Sequence, residues 1–600
     1  MIGLMQVTVV VMCAVLAVQY VKCDFSLVIL HTNDMHSHYK EVSEDLLRCQ
    51  EPSAKCYGGF ARVLSSLIRF RREAKGRGVP TLYLDSGDVF GDTVYYTEFK
   101  WELAADMMNL LEPQAMGLGS HEFDDGIEGL APYIKKVKAP VVCSNIDTTK
   151  IPDLQSVSRS TVITLEEGEN KAKIGIVGYV TKFISKKNLK KPDSPEAEAK
   201  IEDEIKSLKA ETERLRKEEK VDIIIALGQS GYDMDQIIAK HVGEIDVIVG
   251  GHSHTFLSDY EMSNNKKAGP YPTIVSPIED PKKRIPIVQA YYGTKYMGHL
   301  ELKFDDKMKL KDFKGQPVLL NGSPDAKALK DIEKVLKSKD EIIAAKYGKK
   351  IGTTEVALKG GSSYCKFGEC TIGNLIADAF VDFVSANYKA SNGKPVLIAL
   401  VPSGSIKASL FGKSVPGYTG DIILEDLVNV LPYRNSLEVV VMKGSHLKAL
   451  LENSVRKCDV RKHNSNLFEA SLLQVSGLVM KFDLGRPVGK RVVSVKVAEG
   501  KVYRELKKDV LYNVVMTDFF THSYGNDFLK DLKRVVSFNK DNIDYMAVGK
   551  FIEKSKTIKM SGKYAKPIGR ITIKRNGPIR MLKLKIQSWF RRFFSPFHFF

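Results

Sequence analysis

Five apolar runs in this chain each stop at residues able to hold a metal, and that repetition constrains the fold more than any other feature. They are VILHTNDMHSH (Val28 to His38), LYLDSGDVFG (Leu82 to Gly91), AMGLGSHEFDDG (Ala115 to Gly126), IIIALGQSGYD (Ile223 to Asp233) and VIVGGHSHTF (Val247 to Phe256). Open α/β sheets bind ligands beyond the carboxyl ends of their strands, so five such ends predict one convergent site. The plainer alternative is a set of turn and cap residues, because Asp, Ser and Asn hydrogen-bond their own backbone in turns.

Between these runs the pattern from Phe25 to about Gly322 is strand, helix, strand. GGFARVLSSLIRFRREAK carries Phe60, Val63, Leu64, Leu67, Ile68 and Phe70 largely along one face of a predicted helix. EFKWELAADMMNLL reads as a second helix, and TVITLEEGENKAKIGIVGYV as a hairpin turning at Glu167 to Asn170. The charged run Ser194 to Lys220 opens Ser-Pro-Glu, a helix-start signal that predicts an exposed helix.

At 600 residues the chain exceeds one core, since single cores stop growing at roughly 250–300 residues. The lysine-rich amphipathic segment Asp325 to Tyr347 is the expected connector. Beyond it the order changes: the helix TIGNLIADAFVDFVSANY precedes the strand VLIALV, followed by LEVVVMK, the helix HLKALLENSV, LVMKFDL and RVVSVKV. This predicts a separate α+β domain. The expected division is 24–322, a connector over 323–350, a second domain over 351–573 and a basic tail over 574–600.

Residues 1–23 form an uncharged apolar run that meets one lysine, the pattern of a cleaved signal peptide or, alternatively, of a retained anchor. Secretion would allow disulfides. Cys49 with Cys56, and Cys365 with Cys370, are spaced to close small loops, whereas Cys143 and Cys458 have no evident mates. The net charge of +18 favours polyanionic partners such as nucleotides or anionic membranes, and no stretch has the arginine and aromatic interleaving of a nucleic-acid module. The tail repeats Ile579, Leu582, Ile586, Trp589, Phe590 and Phe593 at helical spacing among arginines and lysines, a composition suited to an anionic lipid surface.

Asp34, His36, Asp88, His252 and His254 supply the carboxylate and imidazole ligands of a hydrolytic two-metal centre. Asp88 is the expected shared ligand. His121 would meet the phosphate or the leaving oxygen, and Asp124 would fix its tautomer.

Taken together, HTNDMH, SGDVFG, SHEFDDG, IVGGHSHTF, CKFGECTIGNLIADA and LQVSGLVMKFDLGRPVG resemble the secreted 5'-nucleotidase/apyrase family of binuclear metallophosphoesterases, similar proteins of which occur in arthropod saliva. The resemblance runs from about Leu27 to Ile573. It implies a four-layer α/β metal domain, a hinge helix, a nucleotide-holding C-terminal domain, and two divalent cations (Zn, Mn, Mg or Ca). One cation would take Asp34, His36, Asp88 and His254; the other would take Asp88, His252 and the positions filled here by Ser120 and Gln229. The family has GNHE and GHSG where this chain reads GSHE and GQSG. Serine and a neutral amide oxygen make weak ligands, so the second site is expected to prefer a hard, exchangeable cation over zinc. In the C-terminal domain the resemblance assigns nucleotide contacts to Lys366, Lys407 and Asn526, with Tyr433 and Phe520 clamping the base. The expected function is hydrolysis of extracellular ATP, ADP or AMP. A scavenger that binds nucleotides without turnover, or a membrane- or host-protein-binding protein, would be alternative uses of the same fold.

Overall fold

In the computed structural model the described residues are 24–49, 55–167, 170–184, 189–191, 194–262, 265–361, 364–388, 397–415, 418–456, 472–523, 532, 534–538 and 543–574. Met1 to Cys23, Cys458, Asn526 and the tail beyond Lys574 lie outside them. The chain forms two compact units, Met1–Leu46 with Lys55–Asp340, and Leu47–Ala54 with Glu341–Phe600.

The first unit is built on two six-stranded sheets. In one, Phe25–Thr32 runs parallel to Thr81–Asp85, which continues through Ala115–Gly117 to Val141–Val142; Tyr296–Phe304 and Leu310–Leu319 close the other edge antiparallel. In the other, Asn170–Val180, Ile223–Gln229, Val247–Val249 and Ile285–Val288 are parallel, flanked by the antiparallel Ser160–Glu167 and Thr273–Val275.

Alternation within the strands makes the layers. Leu27, Ile29, Leu82 and Leu84 of one sheet share a core with Ile174, Ile176, Ile223, Ile225 and Leu227 of the other. Residues of the opposite parity, such as Ile224, Ala226 and Ile248, form a second core with Leu208, Leu215 and Ile238 of the helices Glu204–Arg214 and Tyr232–His241 and the turn between. On the first sheet's other side Phe60–Lys75 packs on Thr81–Asp85 and on Val94–Leu111, which packs on Gly126–Lys136. The result is the expected four-layer α/β arrangement.

Two local expectations differ. Ser194–Glu198 is a strand, and the helix begins only at Glu204, where the Asp203 side chain accepts the Lys206 N–H. That helix is not wholly exposed: Glu204, Ser207, Leu208, Glu211 and Thr212 are buried. Ser-Pro-Glu signals a helix only where an apolar stripe follows at once, and here the first one is Ile205, Leu208 and Thr212. In Phe60–Lys75, Ile68 is exposed, because the buried stripe is Phe60, Val63, Leu64 and Leu67.

The segment expected to join the domains is the helix Ala326–Tyr347, opened by the Asp325 carboxylate, which accepts the N–H groups of Lys327 and Ala328. The two units divide within it, between Asp340 and Glu341. In the second unit Leu473–Ser476, Ile398–Pro402, Leu511–Thr517, Leu437–Lys443 and Arg534–Ser537 form a mixed five-stranded sheet, beside a four-stranded sheet whose edge strand is Ile571–Lys574. The helix Thr371–Asn387 packs on the five-stranded sheet. Cys365 and Cys370 are disulfide-bonded to each other, Cys49 and Cys56 are each in a disulfide, and Cys143 is a buried free thiol. No helix among the described residues is long and apolar enough to cross a membrane.

Candidate metal centre and acid–base dyad

All five strand ends lie in the first unit, and the backbone there is unusual. Asp34, His36, Asp88, His252 and His254 have φ of 51, 45, 55, 73 and 51°. A non-glycine residue held left-handed costs of order 1–3 kcal/mol and persists only where its surroundings enforce it. Here the enforcement is hydrogen bonding between loops: Asp34 N–H donates to Gly87 O and His36 N–H to Asp88 O, both at 3.0 Å.

Two groups of donor atoms converge. Asp34, His36 and His254 form one, and His36, Asp88 and His121 the other, with ligand atoms in each within 4.8 Å of one another. In the first, His36 Nε2 is 3.1 Å from His254 Nε2 and 3.9 Å from Asp34 Oδ1, and His254 Nε2 is 3.6 Å from Asp34 Oδ1. Bonds of about 2.0–2.1 Å around a tetrahedral ion separate its donors by roughly 3.4 Å, so this set closes on one cation. His36 Nδ1 donates to Phe90 O at 2.8 Å, which leaves the Nε2 lone pair for the ligand role.

His36 belongs to both groups, whereas Asp88, the expected shared ligand, belongs to the second. Asp88 Oδ1 instead accepts the His121 N–H at 2.8 Å and the Ser120 hydroxyl at 3.5 Å. The exposed His252 enters neither group; its backbone N–H donates to both Asp34 oxygens at 3.0 Å. Gln229 presents its nitrogen, not its oxygen, to the carboxylate: Nε2 donates to Asp34 Oδ1 at 2.7 Å.

The charges call for a cation. Burial, then the neighbouring Asp88, raises Asp34 well above the usual carboxylate range. Burial would raise Asp88 too, but positive charge on the facing His121, His36 and His252 holds it below the usual carboxylate range. Gln229 Oε1 is buried with no protein hydrogen-bond partner, a state that costs about 1–3 kcal/mol unless something accepts it. Two adjacent buried carboxylates, lone-pair imidazoles and an orphaned amide oxygen fit divalent cations.

Within the second group, His121 also pairs with a carboxylate: its Nδ1 lies 2.7 Å from Asp124 Oδ2, on a short 3-10 turn after the third strand. Both side chains reach the surface.

Several neighbours escaped the sequence reading. Buried Glu122 accepts four backbone N–H groups around the site. Gln289 donates to Asp235 at 2.9 Å and to Gly251 O at 3.1 Å, supporting the His252 to His254 loop. Tyr292 stacks on His254 with centroids 4.2 Å apart. Glu122 was visible in the His121 motif, but nothing in the local pattern marks Gln289 or Tyr292.

In the second unit Lys407 Nζ sits 5.2 Å above the ring of exposed Tyr433, and burial followed by Lys407 lowers the Lys366 pKa. Phe520 does not present a face for stacking: it is 1% exposed and part of the core, while its neighbour Phe519 is 49% exposed. Both belong to one helical turn, Asp518–Ser523, where only the side facing the sheet is buried.

Residues 27–256 match the calcineurin-like phosphoesterase family and residues 350–531 the 5'-nucleotidase C-terminal domain. The chain is 35% identical over 545 residues to a 5'-nucleotidase of Homo sapiens, covering 89% of each, and 32% identical over 569 residues to an apyrase of Tabanus yao, covering 93% of this chain and 94% of the other. Among solved structures, a 5'-nucleotidase precursor of Thermus thermophilus superposes with a TM-score of 0.76 at 29% identity, covering 92% of this chain and all of that one.

Proposed function

Because the chain belongs to the 5'-nucleotidase and apyrase family of calcineurin-like metallophosphoesterases, we propose that it is a secreted, metal-dependent hydrolase of extracellular ATP, ADP or AMP. The observation that carries this reading is the convergence of two donor groups, the second of which includes His121, whose Nδ1 is paired with Asp124.

Asp34, His36 and His254 would hold one divalent cation, and Asp88 with His252, Gln229 Oε1 and Ser120 a second, more weakly bound one. Such cations polarise phosphoryl oxygens and lower the pKa of water. Asp124 holds the proton on His121 Nδ1, so Nε2 is the atom that exchanges a proton with the leaving oxygen. Lys366 and Lys407 would attract the phosphate chain, and Tyr433 with Phe519 would offer faces to the base.

The test is phosphate release from ATP, ADP and AMP by the purified protein, with Ca²⁺, Mg²⁺, Mn²⁺ and Zn²⁺ supplied in turn and His121→Ala as control. Release that disappears in the control supports the proposal, and the substrate order names the activity. Tight nucleotide binding without release would replace it with a scavenger.

A further inference from the structure

Glu122 is 1% exposed, and its carboxylate is fully engaged by main chain. Oε1 accepts the N–H groups of Val89 at 2.7 Å and Phe90 at 3.3 Å; Oε2 accepts those of Asp88 at 2.9 Å and Gly119 at 2.7 Å. Asp88 and Gly119 lie on different loops, after the second and third strands. Oε2 is therefore a single atom bonded to both the loop that carries Asp88 and the loop that carries His121.

The two backbones touch at this joint. A Cβ on Gly119 would fall 2.4 Å from Asp88 N and 2.2 Å from Asp88 Oδ1, and one on Gly87 would fall 2.5 Å from Gly119 N. Asp88 is itself held left-handed there. Its position relative to His121 thus depends on a contact only glycine permits and on one buried carboxylate.

We propose that Glu122 is a positioning residue that sets Asp88 against His121 and so couples cation binding to the acid–base pair. This rests on the reading of the centre as a metal-dependent hydrolase. A carboxylate is required, because each oxygen takes two N–H donors. In Glu122→Gln either amide orientation turns an NH₂ toward two of them and leaves both without an acceptor.

The experiment is a Mn²⁺ titration of the full chain, with free Mn²⁺ read by electron paramagnetic resonance and nucleotide hydrolysis measured in parallel. The variants are Glu122→Gln, Gly119→Ala and Glu211→Gln, each checked for native near-ultraviolet circular dichroism. Glu211 is a buried glutamate outside the centre, paired with Arg214 at 2.8 Å. Supporting groups of metal ligands typically contribute about 10- to 100-fold in affinity, and that loss is expected in Glu122→Gln and in Gly119→Ala, which opens the joint from its other side. The kcat should fall in step and recover with excess Mn²⁺ while KM holds, and Glu211→Gln should bind Mn²⁺ as wild type does. A folded Glu122→Gln with wild-type Mn²⁺ affinity overturns the proposal, as does loss of fold in both Glu122→Gln and Gly119→Ala, which would make the joint purely structural. If the wild type binds Mn²⁺ but hydrolyses no nucleotide, the functional reading fails while the Mn²⁺ comparison still decides the role of Glu122.

Discussion

The side-chain nitrogen of Gln229 donates to Asp34 Oδ1 across 2.7 Å, while Gln229 Oε1 is buried without a protein partner. One amide therefore supplies a proton donor to one candidate ligand and would supply a neutral oxygen to the proposed second cation. An amide oxygen binds hard cations and competes poorly for zinc against imidazole.

This predicts that chelator-treated protein regains hydrolysis with Mg²⁺, Mn²⁺ or Ca²⁺ better than with Zn²⁺. Gln229→His combined with Ser120→Asn should raise both turnover and zinc affinity. Isothermal calorimetry with Zn²⁺ checks it; an unchanged zinc isotherm in a folded double mutant contradicts it.

The His121 and Asp124 pair predicts a graded loss. General acid–base catalysis contributes about 10²- to 10⁴-fold, so His121→Ala should lower kcat by that order with little change in KM. Asp124→Asn keeps the shape but no longer fixes the Nδ1–H tautomer, and should cost less than His121→Ala. Steady-state kinetics at saturating metal read both.

The strand pattern was legible because alternation reports which residues are buried, and the ends of five apolar runs marked where ligands gather. The residue types of the first donor group were equally legible, since Asp34, His36 and His254 sit at those ends. Which atom faces which was not: the inverted role of Gln229, the exclusion of the His252 ring from either group and the sharing of His36 depend on left-handed backbone that no periodicity encodes. Phe520 shows the same limit from another side, because in a single helical turn two adjacent phenylalanines look alike until the sheet buries one.

In the second unit, Lys407 over Tyr433, with Lys366 in electrostatic reach of Lys407, predicts an electrostatic handle on the nucleotide. Hydrogen bonds to charged groups contribute about 1.5–3 kcal/mol, so Lys407→Ala or Lys366→Ala should raise KM about 10- to 100-fold and weaken its salt dependence, with kcat nearly unchanged. Inhibition constants of a non-hydrolysable nucleotide at two salt concentrations check this.

Asp544 gives a pH dependence with a definite sign. Burial raises its carboxyl to about 7 from an ordinary 3.8, against hydrogen bonds from Tyr545 and Asn435. A folded-state pKa above the unfolded one means a contribution present below pH 3.8 and lost as the pH rises through 7, at up to about 1.4 kcal/mol per pH unit. Asp544→Asn should flatten that part of the stability profile between about pH 4 and 7. Denaturant unfolding of both proteins across that range measures it, and parallel slopes would refute it.

A single titration distinguishes a two-cation hydrolytic centre at the strand ends from any other arrangement. Metal-stripped protein is titrated with Mn²⁺ while bound metal and phosphate release from the preferred nucleotide are followed together. Two cations are expected per chain, the first bound tightly with little release and the second bringing the activity with it. Full release in the stripped protein, or activity that saturates with the first equivalent, would contradict it.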